Sequence, residues 1–357
     1  MKLADPETKP LSRLNDSVDA GWTRLLGLGR IEGGVRRMLI LVVVAFAVFA
    51  ALKPSIFLSG TNLRNIALNS PEIGVIAIAM MLAMLTGGID LSLVAMANLS
   101  AITMSTMFTA VAAGDPALAE QLFPVILLAG IAVGVLGGAI NGLLISGLGI
   151  TPILATLGTM QIYNGIAVAW TGGKTLYGSP SALTAIGSST VAGIPILFYV
   201  FVLVAVAIGV VVTRTPLGLR IQLQGANPTA ARYSGIASRK ILLSTYVLTG
   251  LLSGIAGVLF IARNPTASAD YGASYVLLVI VIAVLGGTNP NGGFATVLGV
   301  VLATLTLQIV SSGFTAMRLS AYQYAIAQGL ILVAAMAFEQ VKWRRRLRSR
   351  KPAVQPG

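Results

Sequence analysis

The sequence predicts an all-α membrane protein, a polytopic helical bundle of about ten transmembrane helices of which some are short or broken. Three observations predict it. Of 357 residues, 56% are hydrophobic and 10% charged, which leaves too little polar side chain to cover a soluble globule of that length. Apolar runs recur at the length, roughly 20 residues, that an α-helix needs to cross a hydrocarbon core of about 30 Å. The runs are continuously apolar instead of alternating, which excludes the strands of a membrane barrel.

The runs follow in order. The first, Met38 to Leu52, comes after Arg36 and Arg37 and reads as an ordinary first helix instead of a signal peptide. The second, Pro71 to Thr86, has a start signal: Ser70 as cap, Pro71 at the first helical position and Glu72 in the first turn. The third, Leu91 to Ala113, follows Gly87, Gly88 and Asp90. The two glycines supply a turn, and Asp90 reads as the cap of this helix, with solute contact as the alternative. The fourth, Phe123 to Ile145, carries Gly130, Gly134, Gly138 and Gly142 at every fourth residue, with Ser146 next. That spacing puts a groove of small side chains on one face, where another helix can approach closely, and predicts a central position for this span. The fifth, Ile153 to Trp170, and the eighth, Ser274 to Gly287, are the runs expected to be tilted, broken or partly re-entrant. The sixth runs Ile196 to Val212. The seventh, Ile241 to Ile261, repeats the small-residue device at Gly250 and Gly254; the ninth and tenth are Phe294 to Val310 and Ala321 to Phe338.

Basic residues favour the cytoplasmic side of loops close to the spans. Seven of the 24 Lys and Arg residues precede the first run, five lie between Val212 and Ile241 and seven follow the last run. With ten spans these three regions share one face, leaving Lys53, Arg64, Lys174, Arg263 and Arg318 for the other. Both termini are therefore expected in the cytoplasm of a bacterial inner membrane. The division is an N-terminal tail 1–36, a membrane domain 37–341 with a loop at about 213–240, and a basic tail 342–357. The net charge of +13 is accounted for by topology and anionic lipid, so no nucleic-acid partner is expected.

There is no Cys and no His, which removes disulfides, thiolate metal sites and imidazole catalysis. No metal site, bound cofactor or enzymatic activity is expected on this chain. Gly172, Gly173, Lys174 and Thr175 imitate the end of a phosphate-binding loop, but Val168 stands where its first glycine is required. Any ATP would be hydrolysed by another polypeptide, and the longest basic loop is where that partner would dock. It reads as a turn from Thr213 through Arg220 to Gly225, then a short helix: Asn227 caps it, Pro228 takes its first position, Ala230, Ala231 and Arg232 form it, and Gly235 ends it. Such a helix is either a knob for a partner's groove or a capped connector. Polar residues inside the runs, namely Asn98, Ser100, Asn141, Thr156, Gln161, Asn164 and Gln308, together with Asp90, are candidates to line a solute path. Their alternative role is to bond one helix to the next.

Asn227 to Ile236 reads N-P-T-A-A-R-Y-S-G-I, Gly87 to Ser92 reads G-G-I-D-L-S, Pro152 to Met160 reads P-I-L-A-T-L-G-T-M, and Leu285 to Thr288 reads L-G-G-T ahead of Gly292 and Gly293. In this order and at these separations the four segments resemble the ribose-type permeases of the ABC importers, from about Leu58 to Phe338. Thr229 departs from that family's usual Glu, and Tyr233 from its Leu. The resemblance implies a permease subunit importing a simple sugar or similar small polar solute by alternating access. It implies a second permease subunit, identical or homologous, a cytoplasmic ATPase subunit that carries ATP and Mg, and an extracytoplasmic solute-binding protein. Arg220, Gly225, Asn227, Ala230, Ala231, Arg232 and Gly235 would then form the ATPase-coupling loop. A self-contained transporter driven by an ion gradient is the rival reading, and it would need titratable groups at depth. A weak internal repeat is also visible, Leu85-Thr86-Gly87-Gly88 against Val284-Leu285-Gly286-Gly287.

Overall fold

In the computed structural model, residues 33–320, 322–330 and 333 are described. The tail 342–357, most of the tail 1–36 and much of the tenth run lie outside them. The helices are α1 (Gly33–Leu52), α2 (Pro54–Phe57), α3 (Gly60–Leu85), α4 (Leu93–Ala112), α5 (Pro116–Gln121), α6 (Phe123–Gly147), α7 (Pro152–Thr171), α8 (Ser181–Ser188), α9 (Ile196–Arg214), α10 (Pro216–Ala226), α11 (Pro228–Tyr233), α12 (Ser238–Arg263), α13 (Tyr275–Leu285) and α14 (Val297–Ala316). Residues 322–330 continue as a further helix. Two-residue strands β1 (Leu176–Tyr177) and β4 (Thr266–Ala267) pair antiparallel, as do β2 (Thr190–Val191) and β3 (Ile194–Pro195).

Seven of the described helices, α1, α3, α4, α6, α9, α12 and α14, are long and apolar enough to cross a membrane. Of the remaining expected runs, the fifth is α7, an unbroken helix of 20 residues and so about 30 Å long. The eighth is α13, whose 11 residues reach only about 16 Å. It is preceded by the irregular segment 264–274, whose backbone is met by side chains of neighbouring helices.

The second run begins eleven residues earlier than its sequence signal suggests. Ser59, not Ser70, caps α3 and accepts the Asn62 N–H at 3.2 Å. Pro71 lies inside the helix, where it forfeits one backbone bond, a loss that membrane helices tolerate when neighbours cover it. Ser70 donates its hydroxyl to Ile66 O at 2.7 Å, and Glu72 is fully buried. The start grammar is present at Ser70-Pro71-Glu72, but tertiary partners take it over.

The bundle is centred on α3 and α12. In α3, 83% of the most apolar stretch is buried inside the chain, against 28% in α6. The expectation that the glycine-striped fourth run is central is therefore corrected, since small residues report close approach on one face and say nothing of the others. That face lies against α12: a Cβ on Gly134 would meet Gly250 O and stand 2.6 Å from Gly254 N, and one on Gly138 would meet Tyr246 O. The opposite face of α6 exposes Leu128, Leu136, Ile140 and Leu143. On the other flank α1 packs on α14, with the rings of Phe57 from α2 and Phe314 from α14 centred 5.8 and 6.4 Å from that of Phe49.

Helix ends and the loops between them gather at two poles. At one, Leu85, Gly225, Asn291 and Gly293 approach within van der Waals distance. At the other, Arg64 donates to Ser188 O at 3.0 Å, the Ser181 N–H to Glu120 at 2.9 Å, and β1 meets β4.

Candidate functional site

Three polar constellations lie within the bundle. The first surrounds the break between α3 and α4. Asp90 is fully buried, and its Oδ1 accepts the Ser92 N–H at 3.0 Å and the Ser92 hydroxyl at 2.7 Å, while Oδ2 accepts the Thr249 hydroxyl at 3.2 Å. Asn141 donates to Ser92 Oγ at 2.7 Å, and Thr159 donates to Asn141 Oδ1 at 2.6 Å. Beside it, Thr156 accepts the Leu91 N–H and donates to Pro152 O, at 3.1 and 2.8 Å. A carboxylate in an apolar interior costs several kcal/mol unless it is paired or hydrogen-bonded. Here three donors meet it, and the chain of bonds joins α4, α6, α7 and α12. The residue flanking α4 is Ser92, whose side chain makes no cap bond. Asp90 instead closes the turn one step earlier, an Asx turn onto an amide two residues on, which corrects its expected place as the helix cap.

The second constellation supports the irregular segment before α13. Asn98 donates to Ala269 O at 2.7 Å and to Tyr271 O at 2.9 Å. The Tyr271 hydroxyl donates to Glu72 Oε2 at 3.1 Å, and Arg263 pairs with the same oxygen at 2.9 Å. The Glu72 side chain is wholly buried, and that of Arg263 is 24% exposed. Non-helical backbone at depth needs such side-chain partners. Arg263 and Arg64 also border a cavity of about 370 Å³ near the α8 end.

Gln308 belongs to the third, a cleft of about 120 Å³ between α3 and α14 that is lined by Asn62, Asn65, Asn69, Ser311, Ser312 and Thr315 among others. The candidate path residues are thus dispersed. Asp90, Asn141 and Thr156 share one network, Asn98 serves a loop, Gln308 faces the cleft, and Gln161 is exposed on α7 with Asn164 half-buried beside it. Among the described residues, no group of three His, Cys, Asp or Glu could hold a metal ion.

The basic loop forms two helices where a turn and one helix were expected. Thr215 accepts the Gly218 N–H at 3.2 Å with Pro216 at the first position, which starts α10. Gly218 and Gly225 then let α10 lie directly on backbone: a Cβ on Gly218 would meet the carbonyls of Val211 and Val212, and one on Gly225 would meet Leu85 O. Asn227 ends α10 and caps α11, accepting the Ala230 N–H at 2.9 Å. Gly235 (φ 78) closes α11, with the Ile236 N–H on Ala231 O at 3.0 Å. Ala231 is buried beneath, and Thr229, Ala230, Arg232 and Tyr233 are exposed, Tyr233 at 90%. Arg220 also faces outward.

Gly225 stands where the glycine motifs meet. The Gly293 N–H donates to Leu85 O at 3.0 Å, and a Cβ on Gly292 would come 2.8 Å from both Gly87 N and Gly225 O. The two similar helix ends have matching geometry. The Gly88 N–H bonds Ala83 O at 3.2 Å as the Thr288 N–H bonds Ala283 O at 3.0 Å, and Gly87 and Gly287 have φ of 81 and 90. Both are Schellman closures.

Sequence reasoning did not single out Thr159, Thr249 or the Glu72–Arg263 pair. Neither did it find Asn62, Asn65 and Asn69, although their spacing of three and four along one helix face was available. Gly172 and Gly173, with φ of 61 and 71, end α7 in a surface turn.

Comparison with known proteins agrees with this architecture. Residues 62–336 match the family described as "Branched-chain amino acid transport system / permease component". Among similar proteins, the D-allose transport system permease protein AlsC of Escherichia coli is 30% identical over 84% of this chain and 90% of its own. The ribose import permease protein RbsC of Bacillus subtilis is 32% identical over 85% and 91%, and the galactose/methyl galactoside import permease protein MglC of Escherichia coli is 32% identical over 88% and 96%. No solved structure matches. A polytopic helical chain, its glycine-closed helix ends and relatives aligned over nearly their whole length together identify it as a member of this permease-component family, of the ribose type.

Proposed function

We propose that this chain is the membrane-spanning permease subunit of an ATP-driven importer for a simple sugar or a closely related small polar solute. The reading is carried by one observation. The exposed helix α11 is joined through α10 and Gly225 to the backbone of Leu85 and Gly293, the ends of the two segments that enclose the buried polar interior. A push on α11 therefore has a rigid route to the α3–α4 break, with no flexible linker to absorb it.

In this reading the pole of Gly225 and the basic loop faces the cytoplasm, both termini lie there, and the chain crosses the membrane about ten times, with α7, α13 with its preceding segment, and the run expected near 321–338 as the crossings beyond seven. A cytoplasmic ATPase subunit binds ATP and Mg and receives α11 in a groove. A second permease subunit, a copy or a homologue, completes the path, and a solute-binding protein delivers to the pole of Arg64 and Glu120. The relatives named for ribose, allose and galactose support the solute class, as does the neutral character of the amides and hydroxyls that line the polar interior.

The test is uptake by proteoliposomes. With the ATPase and binding protein present, labelled D-ribose, D-allose or D-galactose should accumulate only when ATP is supplied on the ATPase side. Accumulation by this chain alone under a proton or sodium gradient would refute the proposal.

A further inference from the structure

The cleft between α3 and α14 has a chemistry that the packing of the bundle leaves unexplained. Asn62, Asn65 and Asn69 recur at three and four residues, so their side chains share one face of α3. Gln308, Ser311, Ser312 and Thr315 follow the same spacing on α14, and the two rows enclose about 120 Å³. The wall is partly fixed: Ser312 donates to Asn62 Oδ1 at 2.7 Å, and Asn62 Nδ2 donates to Phe57 O at 2.8 Å. The amides of Asn65, Asn69 and Gln308 make no hydrogen bond to any described residue. Gln308 is 7% exposed, and it lines the cleft.

A carboxamide carries two donors and an acceptor. Asn65 is exposed, Asn69 half-buried and Gln308 buried, and with the hydroxyls between them they form a set of neutral donors and acceptors around one cleft. Among the described residues, no charged side chain lines this cleft. It therefore offers nothing to pair with the ammonium and carboxylate of an amino acid, the solute that the family's description mentions. The space takes several waters, enough for one hydroxyl-bearing edge of a monosaccharide. The cleft lies in the half of α3 remote from Leu85, nearer the pole that faces the solute-binding protein.

We propose that this cleft is a binding subsite for adjacent hydroxyls of a neutral sugar or polyol, with Gln308, Asn69 and Asn65 as its principal contacts. The proposal deepens the reading of the chain as a sugar permease and rests on it for the solute class. Its test is separable, because the sequence has no cysteine and one introduced thiol is a unique reporter. Thr315→Cys places the thiol at the cleft rim, and Ser234→Cys, next to α11, is the control. In lipid nanodiscs, maleimide labelling of Thr315→Cys should slow at least fivefold in millimolar D-ribose, D-allose, D-galactose or ribitol, while leucine leaves it unchanged. Labelling of the control should not change. Adding Gln308→Leu, which keeps the volume and removes the amide, should weaken protection about tenfold, the expected scale for one or two lost neutral hydrogen bonds.

Protection without ATP-driven uptake by the reconstituted complex would uphold the subsite and refute the transport reading. Uptake of one of these sugars with no protection by any of them would do the reverse, leaving the cleft as hydrated helix packing only. Protection that survives Gln308→Leu and Asn69→Leu unchanged also overturns the assignment.

Discussion

Arg263→Met should destabilise the protein strongly, and the structure supplies the scale. Glu72 has no solvent exposure, and its partners are the Arg263 guanidinium at 2.9 Å and the Tyr271 hydroxyl at 3.1 Å. Removing one member of a buried ion pair costs about 3–5 kcal/mol, chiefly because the other charge stays buried without compensation. Arg263 keeps a 24% exposed side chain, so part of its own desolvation was never incurred, and the expected loss falls at the lower end, about 3 kcal/mol. Replacing both residues, Glu72→Gln with Arg263→Met, leaves a neutral amide that still accepts from Tyr271. The double variant should lie within about 1 kcal/mol of the parent, giving a coupling of at least about 2 kcal/mol in the cycle. Unfolding in mixed micelles, monitored by near-UV circular dichroism, measures all four proteins. The coupling should persist at high salt, since a buried pair is little screened. Losses that simply add, within about 0.5 kcal/mol, would show that the two groups do not hold each other and refute the reasoning.

Other consequences are equally direct. Gly138→Leu should unfold the bundle or cost more than the usual ~1–3 kcal/mol of overpacking, because its Cβ meets the Tyr246 carbonyl and α12 backbone, whereas Gly209→Ala, with open space around it, should gain up to ~1 kcal/mol; thermal unfolding in detergent compares them. Gly225→Val should leave membrane insertion intact and lower sugar-stimulated uptake at least tenfold, since it separates α10 from Leu85; unchanged uptake would remove that junction from the transmission route. Asp90→Asn keeps an oxygen for Ser92 and should fold, while Asp90→Ala strands the Ser92 N–H and hydroxyl donors at about 1–3 kcal/mol each; fluorescence-detected size exclusion separates the two outcomes.

The parts of the fold that were legible from sequence are those whose cause is local. Continuous apolar runs mark the spans, and Asn227-Pro228 starts α11 through a bond between neighbours three residues apart. The glycine stripe of α6 correctly marks a face of close approach, since Gly134 and Gly138 meet Gly250 and Gly254. What escaped has non-local causes. Glu72 looks like a first-turn acid until Arg263, 191 residues away, supplies its partner. The segment Pro216–Ala226 has low helical promise because two of its residues are glycine, yet those glycines allow the backbone contacts with Val211 and Leu85 that hold the helix in place. Gln308 was singled out as a lone polar residue in an apolar run, but the asparagine row opposite it became meaningful only once the two helices were side by side.

The same geometry bears on where the driving energy enters. The buried charged side chains among the described residues are Glu72 and Asp90. A transporter coupled to protons or sodium needs intramembrane groups that gain and lose a charge or a cation during the cycle. Glu72 is already committed to Arg263 and Tyr271, and Asp90 to Ser92 and Thr249. Releasing either would break bonds between helices before any cation could be bound. Both acids therefore act as fasteners, Asp90 holding the α3–α4 break to α12 and Glu72 holding α3 to the end of α12. Charged groups fastened in this way are poorly placed to couple an ion gradient. Under the proposed function, the exposed helix capped by Asn227, set against Leu85 and Gly293 through Gly225, is where a partner's push would enter.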